Sequence, residues 1–538
     1  MTIVPDRDEP GESGVRVTAA VLHNLAASVR IATLPMEFKA TRGDDVRDLL
    51  KKHGGEQLLR QAIEEAVEWI PPAADEPGDV PSIISSQGRT EKSNAQRFRK
   101  AHGADVRWCD PWGKWLIWDG RRWAIDQECK VDALAKQVTQ SLWQEMGQFA
   151  PSGTKDDALV RATSSFCKSS NSAFGVRNLL SLAKSEPEIA ILSSVLDSNP
   201  WKLNTLKGTI DLRTGQLLPH RRSDFLTKLA PVEFSRDAEC PRWKAFLREV
   251  FDGNDELVEF IKRAAGYSLT GSTRERCLFF LHGSGCNGKS TFTAILQSVL
   301  GEYAMQINSA MLMASKTEQH PTEMCDLAGR HMAISCEIES GRRFAESRIK
   351  QLTGGEDKLK GRRMREDFWE FPAQFKLWVT GNHKPRIRGT DDGIWDRIKL
   401  IPFNVRFENP DKTLAAKLQA ERPGILRWAL EGSLKWQTSG LDEPTEVAVA
   451  TAAYRDVMDT LGKFIEDCCD VATEHRVKCA QLNSAYKTWC ARNGEYQMRR
   501  SDFVEEVAGR FTRKKSDGWW YQGLKLKYAE SETNEAEF

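Results

Sequence analysis

Gly283-Ser284-Gly285-Cys286-Asn287-Gly288-Lys289-Ser290 satisfies the phosphate-loop pattern G-x-x-x-x-G-K-[ST] over its whole length. Just upstream, Cys277-Leu278-Phe279-Phe280-Leu281 is a short apolar run suited to a buried strand, and Thr291 to Leu300 downstream has helical periodicity. That strand, loop and helix order is the context the motif requires. Its glycines let backbone N–H groups turn toward phosphate oxygens. Lys289 reaches the β- and γ-phosphates, and the Ser290 hydroxyl can hold Mg²⁺. A chance glycine-rich turn would need neither flanking element. The expectation is an α/β P-loop core that binds and hydrolyses ATP, with Gly283, Ser284, Gly285, Cys286, Asn287, Gly288, Lys289, Ser290 and Thr291 around the nucleotide.

Working outward, 538 residues are too many for one core, and two to four domains are expected. Lys plus Arg (77) nearly balance Asp plus Glu (76), so any nucleic-acid surface must be local. Apolar runs fall short of the about 18 residues of a membrane span, and no basic-then-apolar leader opens the chain. This reads as a soluble cytoplasmic protein, of a bacterial cell or phage-infected host, with no membrane partner. Twelve cysteines lack paired C-x-x-C spacing. A metal cluster of Cys468, Cys469, Cys479, Cys490 and His475 is the weaker reading, and buried thiols in a reducing compartment the simpler one.

Composition divides the chain into residues 1–70, a proline-containing linker at 71–93, a unit at 94–240, the P-loop unit at 241–455, a last unit at 456–528 and an acidic, solvated tail at 529–538. A strand is expected near Val29 to Leu34 and a helix from Gly54 to Trp69. Trp108, Trp112, Trp115, Trp118 and Trp123 lie among Lys114, Arg121 and Arg122. They would either stack on unpaired bases or fill a small core behind a strand that ends in an Asp119-Gly120 turn. The core reading is preferred.

A phosphate loop needs a carboxylate at the tip of a neighbouring strand. His331 to Glu339 supplies Glu337 for the Mg²⁺ side or the attacking water, and Glu339 shares its side if the strand continues. Phe375 to Thr380 leads to Asn382, a polar amide placed to hold that water or sense the γ-phosphate. A plain turn asparagine is the alternative. Arg397 could stabilise phosphate charge across a subunit boundary, with Arg388 a weaker candidate and a surface ion pair the plainer account. Between the two strands, Lys358, Lys360, Arg362 and Arg363 belong to a basic run that fits a DNA-contacting hairpin directed at a central pore. A solvated charge run would look similar.

These residues resemble a superfamily 3 helicase of the phage and plasmid primase type, the group that includes satellite-phage and poxvirus primase-helicases. The match extends through Lys350 to Gly355, Gly381 to Asp391, Ile394 to Arg397 and Ile401 to Phe403. The resemblance implies an AAA+-like ATPase core preceded by an α+β D5-like domain and followed by a winged-helix domain. It also implies Lys289 and Ser290 on ATP and Mg²⁺, Glu337 and Glu339 as the second motif, Asn382 as sensor, and Arg397 as a finger given to a neighbour. The assembly it implies is a homo-hexameric ring on single-stranded and forked DNA. Glu356-Asp357 and Asp396 depart from the family's usual single Asp and second Arg. In the winged-helix-like end, Arg499, Arg500, Arg510, Arg513, Lys514 and Lys515 make a DNA-contacting face.

Leu34-Pro35 and Gly43 to Gly54 look like the closing part of a Toprim primase domain. Only Asp6-Arg7-Asp8 has the spacing of its metal pair, without strand or glutamate before it. The expectation is a truncated remnant that makes no primers and docks a separate primase or caps the ring. The leading function is therefore an ATP-dependent DNA helicase for phage, plasmid or mobile-element replication. The alternatives are a bifunctional primase-helicase, an ATP-switched initiator without processive unwinding, and a defence or regulatory ATPase.

Overall fold

The computed structural model describes residues 2–4, 15, 18–19, 29–36, 45–52, 54–68, 80–149, 157–315, 322–355, 358–362, 368–387, 392–495 and 497–527. They divide into two compact units, residues 1–101 with 135–183, and residues 102–134 with 184–538. Residues 94–240 thus contribute to both.

The first unit has a small sheet in which Thr2–Ile3 runs parallel to Arg30–Ile31, and Val67–Glu68 antiparallel to it. The helix expected to reach Trp69 is Gly55–Glu64. It stops early because Arg30 Nε and Nη2 donate to the Ala66 and Glu64 carbonyls at 2.7 and 3.0 Å, which satisfies its open end as the chain enters the strand. Asp6-Arg7-Asp8 lies outside the described residues.

In the second unit, Trp123–Ile125, Lys114–Trp118, Val106–Cys109 and Ala190–Ile191 form a four-stranded sheet in that order. Trp112 and Trp123 are buried with Cys109, Leu116 and Leu196, as the core reading expects, while Trp108, Trp115 and Trp118 are half-buried.

The P-loop core follows helices α1 (Pro241–Val250) and α2 (Asp255–Leu269). It comprises β1 (Leu278–His282), α3 (Lys289–Leu300), β2 (Ala304–Ile307), β3 (Met332–Ser335), α4 (Glu346–Thr353), β4 (Lys358–Gly361), β5 (Trp369–Pro372), β6 (Lys376–Gly381) and β7 (Ile398–Pro402). Five of these strands make a parallel sheet in the order β2-β3-β6-β1-β7, and β4 pairs with β5 as a separate antiparallel hairpin. This is the AAA+-like P-loop arrangement expected.

Alternate residues of each strand serve opposite cores. Phe279, Leu281, Ile334, Trp378 and Ile401 join one, and Leu278, Phe280, Ala333, Leu377, Val379 and Leu400 the other. Helices cover both faces, which explains why the strands read as continuous apolar runs. On the first face α2 packs on α6 (Arg422–Ser439) so closely that a Cβ at Gly266 would overlap the Ser433 backbone nitrogen. Any side chain there forces the helices apart. Against the other face lies α7 (Thr445–Met458), where the Thr451 hydroxyl accepts from the Leu400 N–H of edge strand β7 at 3.1 Å.

The last domain runs α8 (Thr460–Cys468), β8 (Cys469–Lys478), α9 (Cys479–Asn493), α10 (Arg500–Arg510), β9 (Arg513–Lys515) and β10 (Trp519–Leu526). Its sheet order is β8-β10-β9 around Phe464, Tyr486, Phe503, Tyr521 and Leu524, the winged-helix arrangement expected. Among the described residues, no helix is long and apolar enough to cross a membrane.

Candidate functional site

The carboxyl ends of β1, β3 and β6 open onto a cavity of about 580 Å³. Its floor is the phosphate loop. Gly285, Cys286 and Gly288 have φ of 102°, 49° and 86°, a succession of left-handed residues that turns backbone N–H groups to one side and makes an anion cradle. Gly288 also starts α3, whose N-terminal dipole favours negative charge there.

Lys289 is only 6 % exposed. Its Nζ donates to Gly283 O at 2.8 Å, Asn287 Oδ1 at 2.8 Å and Asn382 Oδ1 at 3.1 Å. Burial pulls its pKa below the ordinary lysine value, and the three oxygens hold the ammonium in place. Asn287 Nδ2 in turn donates to Phe403 O at 3.0 Å, which ties the loop to the end of β7. Burial, with Lys384 and Lys289 nearby, pushes His282 down to about 4, so it is neutral at pH 7.

The cavity is lined by Gly285 to Thr291, Glu337, Thr380 to His383, and residues remote in sequence. Gly283 and Ser284 begin the loop but do not line the cavity. Glu337 does, at φ 54°, a conformation that costs a non-glycine residue about 1–2 kcal/mol. β3 ends at Ser335, so the strand does not continue to Glu339 and does not set its side. Glu339 is exposed, 4.0 Å from Arg342, and outside the cavity.

Arg242 and Glu249 of α1, paired at 3.0 and 3.1 Å, sit at the cavity with Phe246 and Phe407. Leu414 and Ala415 of α5 (Leu414–Ala420) complete the wall. No motif announced these residues; they reach the site only through folding. The cradle, the Ser290 hydroxyl and the Glu337 carboxylate form a donor set that fits a nucleotide triphosphate and Mg²⁺.

Arg397 lies elsewhere. Its carbonyl accepts from the N–H of Leu278, the first residue of β1, so it stands at the sheet's amino edge, opposite the phosphate loop. Its Nε donates to Thr353 Oγ1 at 3.2 Å and its Nη1 to Gly393 O. Arg388 is outside the described residues.

The basic run forms the hairpin β4–β5, with Lys358, Lys360 and Arg362 exposed and Leu359 and Phe371 buried beneath. Lys360 pairs with Glu370 at 3.0 Å. Arg363 lies outside the described residues. In the winged-helix domain Arg499, Arg500, Lys514 and Lys515 are exposed and Arg513 is half-buried. Arg510 is held by both Asp459 oxygens at 2.7 and 2.8 Å.

Three sequence families match in succession. One described as D5 N terminal like covers residues 95–252, a family of unknown function (DUF5906) residues 281–397, and one described as Poxvirus D5 protein-like residues 457–536. Among curated proteins, "Putative helicase L207/L206" of Acanthamoeba polyphaga mimivirus is 26 % identical over 297 residues, 51 % of this chain and 31 % of that protein. "Putative primase C962R" of African swine fever virus (isolate Warthog/Namibia/Wart80/1980) is 23 % identical over 326 residues, 55 % of this chain and 34 % of that protein. The chain therefore spans about a third of the length of these relatives. The solved apo structure of the NrS-1 C-terminal region covers 55 % of this chain and 79 % of its own at 12 % identity, with a TM-score of 0.38, too loose a likeness to bear on the fold. The names of these relatives thus include both putative helicase and putative primase. Residues 95–252 and 457–536 are thus similar to D5-type families, on either side of a P-loop sheet that carries the hairpin.

Proposed function

We propose that this chain is the ATP-hydrolysing motor of a primase-helicase, moving on and unwinding DNA in the replication of a phage, plasmid or mobile element. The observation that carries this reading is the separation of Arg397 from the phosphate loop. β1 and β7 each span five residues, about 16 Å of extended chain, between the sheet edge that holds Arg397 and the edge that holds Lys289. A finger at the amino edge serves a nucleotide in the neighbouring subunit, which calls for a closed ring such as a homo-hexamer.

Within the site, the loop N–H groups and Lys289 bind and orient the phosphates. Asn382, through its contact with Lys289, registers the terminal phosphate. Glu337 holds the water or takes up its proton. Ser290, with Glu337 nearby, would hold Mg²⁺, which would neutralise phosphate charge there. Lys358, Lys360, Arg362 and Arg363 then grip the strand, while Arg513, Lys514 and Lys515 contact the fork.

The test is ATP-dependent unwinding of tailed and forked duplexes by the full chain, beside Lys289→Ala, with labelled primer synthesis measured on the same preparation. Unwinding that vanishes in Lys289→Ala supports the motor. DNA-stimulated hydrolysis without unwinding supports an initiator switch instead. Primers made by the chain alone place both halves of the activity here; their absence assigns synthesis to a separate primase.

A further inference from the structure

We propose that the sheet of the winged-helix domain, around Trp519 and Trp520, binds an unpaired DNA strand, and that α10 does not read a duplex groove. This rests on the reading that the chain acts on DNA. Cross-strand partners share a face of the sheet, so Lys478, Trp520 and Lys514 form one row across three strands, with Arg476 and Gln522 in the next row on the same face. The Arg476 guanidinium lies 4.8 Å and the Lys478 ammonium 5.3 Å from the Trp520 ring centre. Asp517 accepts from Trp520 Nε1 at 2.7 Å, which fixes the indole, and lies 3.7 Å from Lys478.

On the opposite face, beyond the domain core, Trp519 is 46 % exposed and faces Lys515. The Arg513 guanidinium lies 4.1 Å from that ring, and Arg513 Nε is buried with no hydrogen-bond partner among the described residues. Five cations thus surround two indoles at one end of the sheet.

Helix α10 has the opposite character. At its start Arg499 is 3.0 Å from Asp502, at its end Arg510 is bound by Asp459, and Glu505 and Glu506 lie between. Carboxylates interleaved with its arginines repel a phosphate backbone. The sheet attracts one, and an indole stacks only on a base whose face is open. In a duplex those faces are covered, so the occupant is a single strand.

The test is fluorescence anisotropy on the full chain without nucleotide, in a Lys358→Ala/Lys360→Ala background that removes the hairpin's contribution. The probes are a labelled oligothymidylate and a blunt duplex of equal length. Arg476→Gln/Lys478→Gln/Lys514→Gln should weaken strand binding at least about tenfold and lower the slope of log affinity against log salt by about 2. Trp519→Ala should cost about tenfold and Trp519→Phe should restore most of it. Arg499→Gln/Arg500→Gln should stay within about twofold of the parent. The proposal is overturned if the helix pair abolishes binding while the sheet variants bind as the parent does, or if the parent prefers the blunt duplex. Hydrolysis plays no part in the measurement, so failure of the motor reading leaves this result standing. A parent that binds neither probe removes both the DNA reading and this proposal.

Discussion

The two edges of the parallel sheet are built for different work. At the carboxyl edge, β1, β3 and β6 end in groups that converge: Lys289, Asn287 and Asn382 are hydrogen-bonded together and Glu337 lines the same cavity. At the amino edge the notable groups are tied down. Lys376 is buried at the start of β6, its Nζ donating to the carbonyls of Thr270, Ser272 and Gln374, and Arg397 is held by Thr353 and Gly393. Parallel strands direct their carboxyl ends to one side, which is where ligands of α/β sheets bind. Among the described residues, the amino edge has no cradle of its own. Its arginine is useful to nucleotide chemistry only when a neighbour brings a phosphate to it.

Arg397→Ala is the sharpest way to break that contrast. Hydrolysis should fall on the order of a thousandfold while ATP still binds, and rings mixed with the parent should be impaired beyond their share of variant subunits. Normal turnover by the variant would remove the amino edge from every active site. Within the carboxyl edge, Glu337→Gln should slow hydrolysis roughly a hundredfold and Glu339→Gln less than about twofold, because only the first lines the cavity. Equal losses in steady-state assays would mean that the segment after Ser335 rearranges around nucleotide.

Thr353 gives a smaller effect. This residue lies five before Lys358 of the hairpin, and its hydroxyl accepts from Arg397 and donates to Ile349 O at 2.7 Å. Thr353→Val keeps the shape and removes these bonds. Basal hydrolysis should change little, whereas its stimulation by single-stranded DNA should drop about fivefold, and Thr353→Ser should restore it. An unchanged stimulation ratio would uncouple finger from hairpin.

The smallest expected effect concerns stability. His331, at the amino edge beneath the Tyr303 ring, is pushed down to about 3 by burial, with Lys376 adding to the shift, and stays neutral in the fold. The unfolded chain takes up that proton near pH 6.5, so stability falls as pH drops from about 6.5 toward 3, by at most about 1.4 kcal/mol per pH unit for this group. Urea unfolding at pH 7 and 5 checks the sign.

Much of the nucleotide site is legible in order along the chain. The phosphate loop, Glu337 and Asn382 each follow an apolar run, and a strand that ends in a polar tip presents that tip to a ligand. Glu339 fails that logic because nothing in His331 to Glu339 marks Ser335 as the last paired residue. The helix drawn through Trp69 fails for a related reason: Arg30, far away in sequence, caps it at Glu64 and Ala66. Phe246 and Phe407 carry no local signal, since an aromatic residue in a helix or a loop looks the same whether it lines a cavity or fills a core.

By itself, then, the sequence determined the elements and their chemistry: apolar runs for central strands, glycines where φ must be positive, and a lysine and carboxylates in phosphate-binding order. Local sterics and periodicity act between near neighbours, so they survive being read as a string. Only the tertiary structure decided which of those groups meet. Strand order sets Arg397 against the far edge from Lys289, brings α1 and the segment after Phe403 over the loop, and surrounds the indoles of the last sheet with cations drawn from the two strands beside them. Those encounters depend on long-range pairing and packing, which no window of sequence contains.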